Sequence, residues 1–170
     1  MKKVILMGSL LAVVFTACDK DEDDSDTLNS TDQMFITQVA IGNTAEVQAG
    51  QLAAAKGTNA GVKAFGQMMA TEHSQAQTEL KNIGTSAGIN VKDSVDPAHQ
   101  LLVQRLSTLT GKSFDTAYIN SQVVDHQNTL NIFQTEISSG NNQNVKSYAG
   151  KYLPNIQLHY NKADSIRKAL

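Results

Sequence analysis

From Ser30 to the C-terminus, apolar residues recur every three or four positions, the spacing that an amphipathic helix produces. Four long helices are predicted at residues 31–56, 59–87, 113–139 and 142–170, and one short helix at residues 96–111. Ser30 with Gln33 is typical of a capping box, Asp96-Pro97 of the start of the short helix, and Ser113 of the cap of the third long helix. These lengths predict an all-α, antiparallel four-helix bundle, in which the short helix lies between two hairpins.

Each long helix carries one ionisable residue on its otherwise apolar face. The four residues are Glu46, His73, His126 and His159. A charge or imidazole in the interior costs several kcal/mol unless it finds a partner. Counted from the turns at about 1.5 Å per residue, the four lie within about one or two helical turns of a common level. We therefore expect them to approach each other inside the bundle.

Two interpretations of these four residues are open. The favoured one is a buried polar layer that fixes helix register, in which Glu46 hydrogen-bonds to one or more histidines, water fills the remaining space and no cofactor is bound. The alternative is a transition-metal site for iron, zinc, manganese or copper, because such ions accept imidazole and carboxylate ligands. Glu72, Asp125 and Glu136 are then candidates to orient the ligating histidines. His99, in the first turn of the short helix, is expected to be exposed.

The N-terminal segment has a different pattern from the bundle. Two lysines precede an apolar stretch at residues 4–15, and Thr16-Ala17 ends the stretch with small side chains. This order is typical of a secretory signal peptide, here residues 1–17. The apolar stretch would form about 18 Å of helix, which is shorter than the roughly 30 Å hydrocarbon core of a membrane.

Cys18 follows this segment directly and is the single cysteine of the chain. It resembles the lipidated cysteine of a bacterial lipoprotein, although Phe15 stands where that pattern prefers Leu; the alternative is a soluble signal with an incidental cysteine. Residues 18–30 form an acidic tether that resembles those of surface-exported lipoproteins from Bacteroidetes-type bacteria, whereas in enterobacteria Asp19 would favour the inner membrane. We expect residues 31–170 to be a domain held to the envelope by lipid, at the periplasmic or external face of the outer membrane.

Composition narrows the function classes. The chain is 41% hydrophobic but only 5% aromatic, which favours close-packed helices over a β-sandwich. With 14 basic and 16 acidic residues it lacks the basic excess of a nucleic-acid-binding protein, and one cysteine excludes a multi-thiolate metal site. No phosphate-binding loop or nucleophile elbow occurs, so we expect no enzymatic activity. The sequence identifies no protein partner.

Two blocks of sequence carry a family resemblance. The first block includes Phe35, Ala45-Glu46-Val47, Gly50-Gln51-Leu52-Ala53, Phe65 and His73; the second includes Leu106, Gly111, Phe114-Asp115, Tyr118 and Asp125-His126. Over residues 32–166 the chain resembles the bacterial envelope proteins grouped as domain of unknown function 4142. The resemblance implies a ferritin-like four-helix bundle and supplies no established activity. The Glu-x-x-His pattern of ferritin-like di-iron centres is absent, because Ala70, Val123 and Ile156 stand three residues before the histidines.

Overall fold

The computed structural model describes residues 27–170. The predicted signal peptide, Cys18 and most of the acidic tether lie outside the described residues. Within residues 27–170 the chain forms five helices and no strand. These are α1 (Ser30–Lys56), α2 (Ala60–Ser86), α3 (Pro97–Thr108), α4 (Gly111–Ser139) and α5 (Gln143–Ala169).

The helices are arranged as two hairpins. α1 packs along α2 and α4 along α5, while α1 also contacts α4 and α2 contacts α5. α3 lies in the connection between the hairpins and packs against α1 and α4. This arrangement confirms the predicted all-α bundle with a short helix between its hairpins. None of the described helices combines the length and apolarity needed to cross a membrane.

The start of α1 is capped one residue earlier than predicted. Asn29 Oδ1 accepts from the Asp32 N–H at 3.0 Å, and Asp32 Oδ2 accepts from the Asn29 N–H at 2.7 Å. The capping box is therefore Asn29–Asp32, and the predicted pair Ser30 and Gln33 is wrong. The Asp32 carboxylate is buried and also accepts two N–H groups of the α4–α5 turn, both at 3.1 Å, which favours the Asn29–Asp32 pair as the capping box.

The start of α4 also differs from the prediction. α3 ends at Thr108 rather than at residue 111, and α4 begins at Gly111, so Ser113 lies inside the helix and does not cap it. Gly111 has a φ of +58°, which glycine adopts without steric cost. That conformation lets the chain leave α3 and enter α4 within two residues.

The turn between α1 and α2 is fixed to α4 by a second buried aspartate. The Asp115 carboxylate, 1% exposed, accepts the main-chain N–H groups of Thr58 at 3.0 Å and Asn59 at 2.8 Å. Asp32 and Asp115 thus each join the turn of one hairpin to the first residues of a helix in the other hairpin. These bonds set the level of the helices relative to each other.

The α1–α2 pair is unusually close where two glycines face each other. A Cβ atom at Gly50 would lie 2.6 Å from the Gly66 carbonyl oxygen, and one at Gly66 would lie 2.7 Å from the Gly50 carbonyl oxygen. Such distances exclude any larger residue unless the helices move apart. The contact brings the adjacent turns of α1 and α2, which hold Glu46 and His73, close to each other.

The buried apolar residues form two clusters, one toward each end of the bundle. One cluster is built around Phe35, Leu80, Phe133 and Tyr148, and the other around Phe65, Phe114, Tyr118 and Ile119. On every long helix the predicted interior polar residue falls between the segments that enter these two clusters. The polar residues therefore occupy a middle layer, with a hydrophobic core on each side.

Candidate metal centre

Three histidines from three helices meet in this middle layer. His73 on α2, His126 on α4 and His159 on α5 are 5%, 2% and 2% exposed. Their ring centroids lie 5.3–5.8 Å apart, and one ring nitrogen from each lies within 4.8 Å of the other two. The predicted approach of the three imidazoles is thus observed.

One nitrogen of each ring is held by a hydrogen-bond acceptor. His73 Nδ1 lies 2.9 Å from Asn43 Oδ1, and His126 Nδ1 lies 2.9 Å from the Gln122 carbonyl oxygen. His159 Nε2 lies 2.8 Å from a Glu72 carboxylate oxygen. Because an acceptor faces each of these nitrogens, each carries the ring proton and donates it.

The second nitrogen of each ring consequently bears a lone pair. These atoms are Nε2 of His73, Nε2 of His126 and Nδ1 of His159. All three are buried and have no hydrogen-bond partner among the described residues. The rings therefore do not hydrogen-bond to each other, although they are close enough to touch.

The environment keeps the three imidazoles neutral. Burial and then the neighbouring His126 and His159 hold the pKa of His73 well below its usual value. Burial lowers the pKa of His126 to about 3, with His159 adding to the effect. Burial also lowers the pKa of His159, against the opposing effect of the Glu72 carboxylate. Neutral imidazole is the form that binds metal ions.

Glu46 lies beside the histidine group and not within it. Its Oε1 is 3.9 Å from His126 Nδ1, the nitrogen already bound to the Gln122 carbonyl. Burial, followed by the nearby Asp125 carboxylate, raises the pKa of Glu46 to about 8, although a hydrogen bond from Gln122 opposes this. The four-residue set proposed from the sequence is therefore divided into three convergent imidazoles and one adjacent carboxyl group.

The three acidic residues considered as orienting groups have different outcomes. Glu72 contacts a histidine as predicted. Asp125 lines a cavity beside Glu46 and His126. Glu136 is far along α4, where its carboxyl group lies against Gly140 and interacts with Asp32, so its predicted contact with the histidine group is wrong.

The sequence analysis did not identify Asn43 as a residue of the site, and its expectation that His99 is exposed is wrong. Asn43, which binds His73, is buried on α1 and also donates to Tyr148 Oη at 3.4 Å. The sequence signal that could have identified Asn43 is that it is a second polar residue on the interior face of α1. His99 was expected to be exposed, but it is half-buried because its Nδ1 donates to its own helix cap, Asp96, at 2.8 Å.

Cavities lie against two sides of the histidine group. A cavity of about 340 Å³ between α1 and α4 is lined by His73 and His126, with Asp96 and His99 of the α3 start at its edge. A second space of about 20 Å³, between α2 and α5, is lined by His73 and His159. The second space is large enough for about one water molecule, whereas the first reaches bulk solvent through exposed residues.

Comparison with known proteins gives a family and a fold. The chain matches a solved structure described as a crystal structure of a DUF305 fragment from Deinococcus radiodurans, with a TM-score of 0.75 and 10% identity. The match covers 85% of this chain and 99% of that one, and at this identity it establishes the fold alone. No curated protein matches the sequence. The sequence profile described as "Domain of unknown function (DUF4142)" matches residues 19–166, and the chain belongs to that family.

Proposed function

We propose that this protein binds a transition-metal ion through His73, His126 and His159. The observation that carries the proposal is that three buried imidazoles each bring a ring nitrogen within 4.8 Å of the other two, and that each ring has one buried nitrogen without a hydrogen-bond partner. Polar atoms inside proteins are nearly always hydrogen-bonded, and three exceptions at one point require an explanation. A single metal ion would accept all three lone pairs.

The hydrogen bonds around the rings support the same conclusion. Metal-binding histidines commonly donate their second ring N–H to a carboxylate or carbonyl group, which fixes the ring and its tautomer. Glu72, Asn43 and the Gln122 carbonyl are placed to do this for the three rings. A polar layer that only fixes helix register, the interpretation favoured from the sequence, would instead need a donor such as a water molecule for each of these acceptor nitrogens.

The donor set limits the metal. Imidazole nitrogens suit zinc, copper, iron and nickel, whereas manganese prefers oxygen ligands. Three protein nitrogens leave a further coordination position, as in three-ligand zinc sites. The proposal assigns binding to this centre and no reaction.

The first prediction is that the purified protein binds one metal ion per chain. Elemental analysis after equilibration with Zn²⁺ or Cu²⁺ and gel filtration should give equal molar amounts of metal and protein. His73→Ala, His126→Ala and His159→Ala should each lose the metal, because two imidazoles remain in each variant. A wild-type protein that emerges metal-free, or variants that retain the full amount, would exclude the site.

Two glutamate variants on α2 test whether the Glu72 carboxylate, which orients His159, contributes to metal affinity. Glu72→Gln keeps an oxygen that can accept from His159 Nε2 but removes the negative charge, so we expect metal affinity to fall by about 10–100-fold. Glu79→Gln is the matched change, because Glu79 is on the same helix and binds Lys151 and Tyr152, not a histidine. Its affinity should equal that of the wild type.

We also propose that lipid on Cys18 anchors the protein to the envelope. The support is the sequence order of an apolar segment, a lone cysteine and an acidic tether. Metabolic labelling with an alkyne-tagged fatty acid should mark the wild-type protein in a Gram-negative host, and Cys18→Ser should remain unlabelled and leave the membrane fraction. Equal labelling of both proteins would contradict the anchor without affecting the metal proposal.

A further inference from the structure

The large cavity connects the surface to the histidine group. Its outer wall includes the exposed residues Gln38 and Asn128, and its inner wall includes the buried residues His73 and His126. Its volume of about 340 Å³ greatly exceeds that of a hydrated cation, which needs room for an ion and a few water molecules. The opposite space, about 20 Å³, does not have that room.

The charged groups along this cavity are acidic. Glu46, Asp96 and Asp125 line it, and neither lysine nor arginine does. Asp96 and Asp125 are half-buried, whereas Glu46 is 8% exposed. The carboxyl groups therefore extend from the half-exposed part of the cavity toward the buried histidines. Clefts lined by charge of one sign concentrate ions of the opposite sign and accelerate their association.

Glu46 provides an independent sign that this cavity receives a cation. Its Oε2 is buried and has no hydrogen-bond partner, although the residue lines a cavity large enough to admit one. The carboxyl group lies next to His126, at the inner end of the cavity. A passing cation would give this oxygen its missing partner immediately before reaching the imidazoles.

The acidic groups do not form a second coordination site. Within residues 27–170, the one group of three or more His, Cys, Asp or Glu side chains whose ligand atoms all lie within 4.8 Å of one another is that of His73, His126 and His159. The carboxyl groups are too dispersed to hold an ion by themselves. Their arrangement suits transient contact with an ion that moves inward.

We propose that the cavity between α1 and α4 is the route by which divalent cations reach the histidine centre, and that the charges of Asp96 and Asp125 attract them along it, past Glu46 at its inner end. This inference rests on the proposed metal-binding function. It assigns these carboxyl groups to the rate of loading and not to the final coordination of the ion. Removing one of them should slow association and leave the equilibrium occupancy by metal nearly unchanged.

The test measures the rate and the equilibrium separately. Full-length protein in detergent is mixed with Co²⁺ at pH 7.5, and the visible absorption of the bound ion is followed by stopped flow. Asp125→Asn should reduce the second-order loading rate by about tenfold at low ionic strength, since charge steering changes association rates by about 10–10³-fold. Asp96→Asn, in which asparagine can still cap α3, should also reduce the loading rate.

Asp164→Asn is the matched control. It removes the same charge from an aspartate that binds Arg167 and Lys168 and does not line the cavity. Its loading rate should equal that of the wild type, and 0.5 M salt should reduce the difference between wild type and Asp125→Asn. Normal Co²⁺ binding with unchanged rates in both cavity variants would refute the route alone. Absence of Co²⁺ binding by the wild type would refute the proposed function, and the route with it.

Discussion

Zn²⁺ at 100 times its Kd is expected to raise the Tm of the wild-type protein by about 5–11 °C and to leave the Tm of His73→Ala unchanged. An ion that binds only the folded chain adds about 2.7 kcal/mol at this concentration. For a protein of this size, each kcal/mol corresponds to about 2–4 °C in Tm. The unfolded chain gains little, because the three imidazoles converge only in the fold. Differential scanning calorimetry with and without a chelator measures the shift.

Met69→Ala is the control for this experiment. Met69 is buried on α2 one turn before His73 and belongs to the apolar cluster, so its loss creates a cavity without removing a ligand. The free energy of unfolding of the variant should be about 2–5 kcal/mol lower than that of the wild type, so the variant should melt at a lower temperature. Zn²⁺ should nevertheless raise its Tm by the same amount as that of the wild type. If Zn²⁺ stabilises His73→Ala as strongly as Met69→Ala, the ion binds elsewhere and the histidine centre is excluded.

The fold and the inward direction of the histidines could be predicted because both depend on spacing along a helix. His73 lies between Met69 and Ala76, which enter opposite apolar clusters, and His126 lies between Val123 and Leu130 in the same way. Periodicity identifies such positions from one sequence. The rise per residue also placed the polar residues within about two turns of one level. The ring separations of 5.3–5.8 Å agree with that prediction.

The chemistry of the centre could not be predicted in the same way, because it depends on which nitrogen of each ring is engaged. That choice is set by an amide on another helix, Asn43, by the main-chain carbonyl of Gln122 and by the carboxylate of Glu72. A main-chain acceptor leaves no mark in the sequence. Spacing also assigned Glu46 to the interior correctly, but could not show that it faces the engaged nitrogen of His126.

Spacing could have excluded Glu136 as an orienting residue. It follows His126 by ten residues on one helix, which corresponds to about 15 Å along the axis. Its carboxyl group is instead fully buried beside Asp32, which forms the capping box of α1 with Asn29. Both Glu136 carboxyl oxygens are buried without a hydrogen-bond partner among the described residues and the Asp32 carboxylate acts on them, so the protonated form of Glu136 is favoured. Burial, and then this neighbour, raise the pKa of Glu136 to about 8.

Glu136→Gln is expected to change how the stability of the metal-free protein depends on pH. Between pH 4.5 and 8 the folded wild type holds a proton on Glu136 that the unfolded chain has released. Its unfolding free energy therefore falls as pH rises through this window, by at most about 1.4 kcal/mol per pH unit from this group. The substituted side chain keeps an amide donor for Asp32 and does not titrate. Urea denaturation at pH 5 and pH 8 should show the variant gaining up to about 4 kcal/mol relative to the wild type.

Glu79→Gln tests whether this gain belongs to the buried carboxyl pair. The hydrogen bond from Lys151 is the largest of the effects that lower the pKa of Glu79, so this group is ionised in both the folded and the unfolded chain above pH 5. Its variant should differ from the wild type by a constant amount between pH 6 and pH 8. Glu46, whose pKa is also raised by burial, is present in every protein compared and cancels from the differences. A constant difference for Glu136→Gln as well would mean that Glu136 ionises normally in the fold, beside the Asp32 carboxylate.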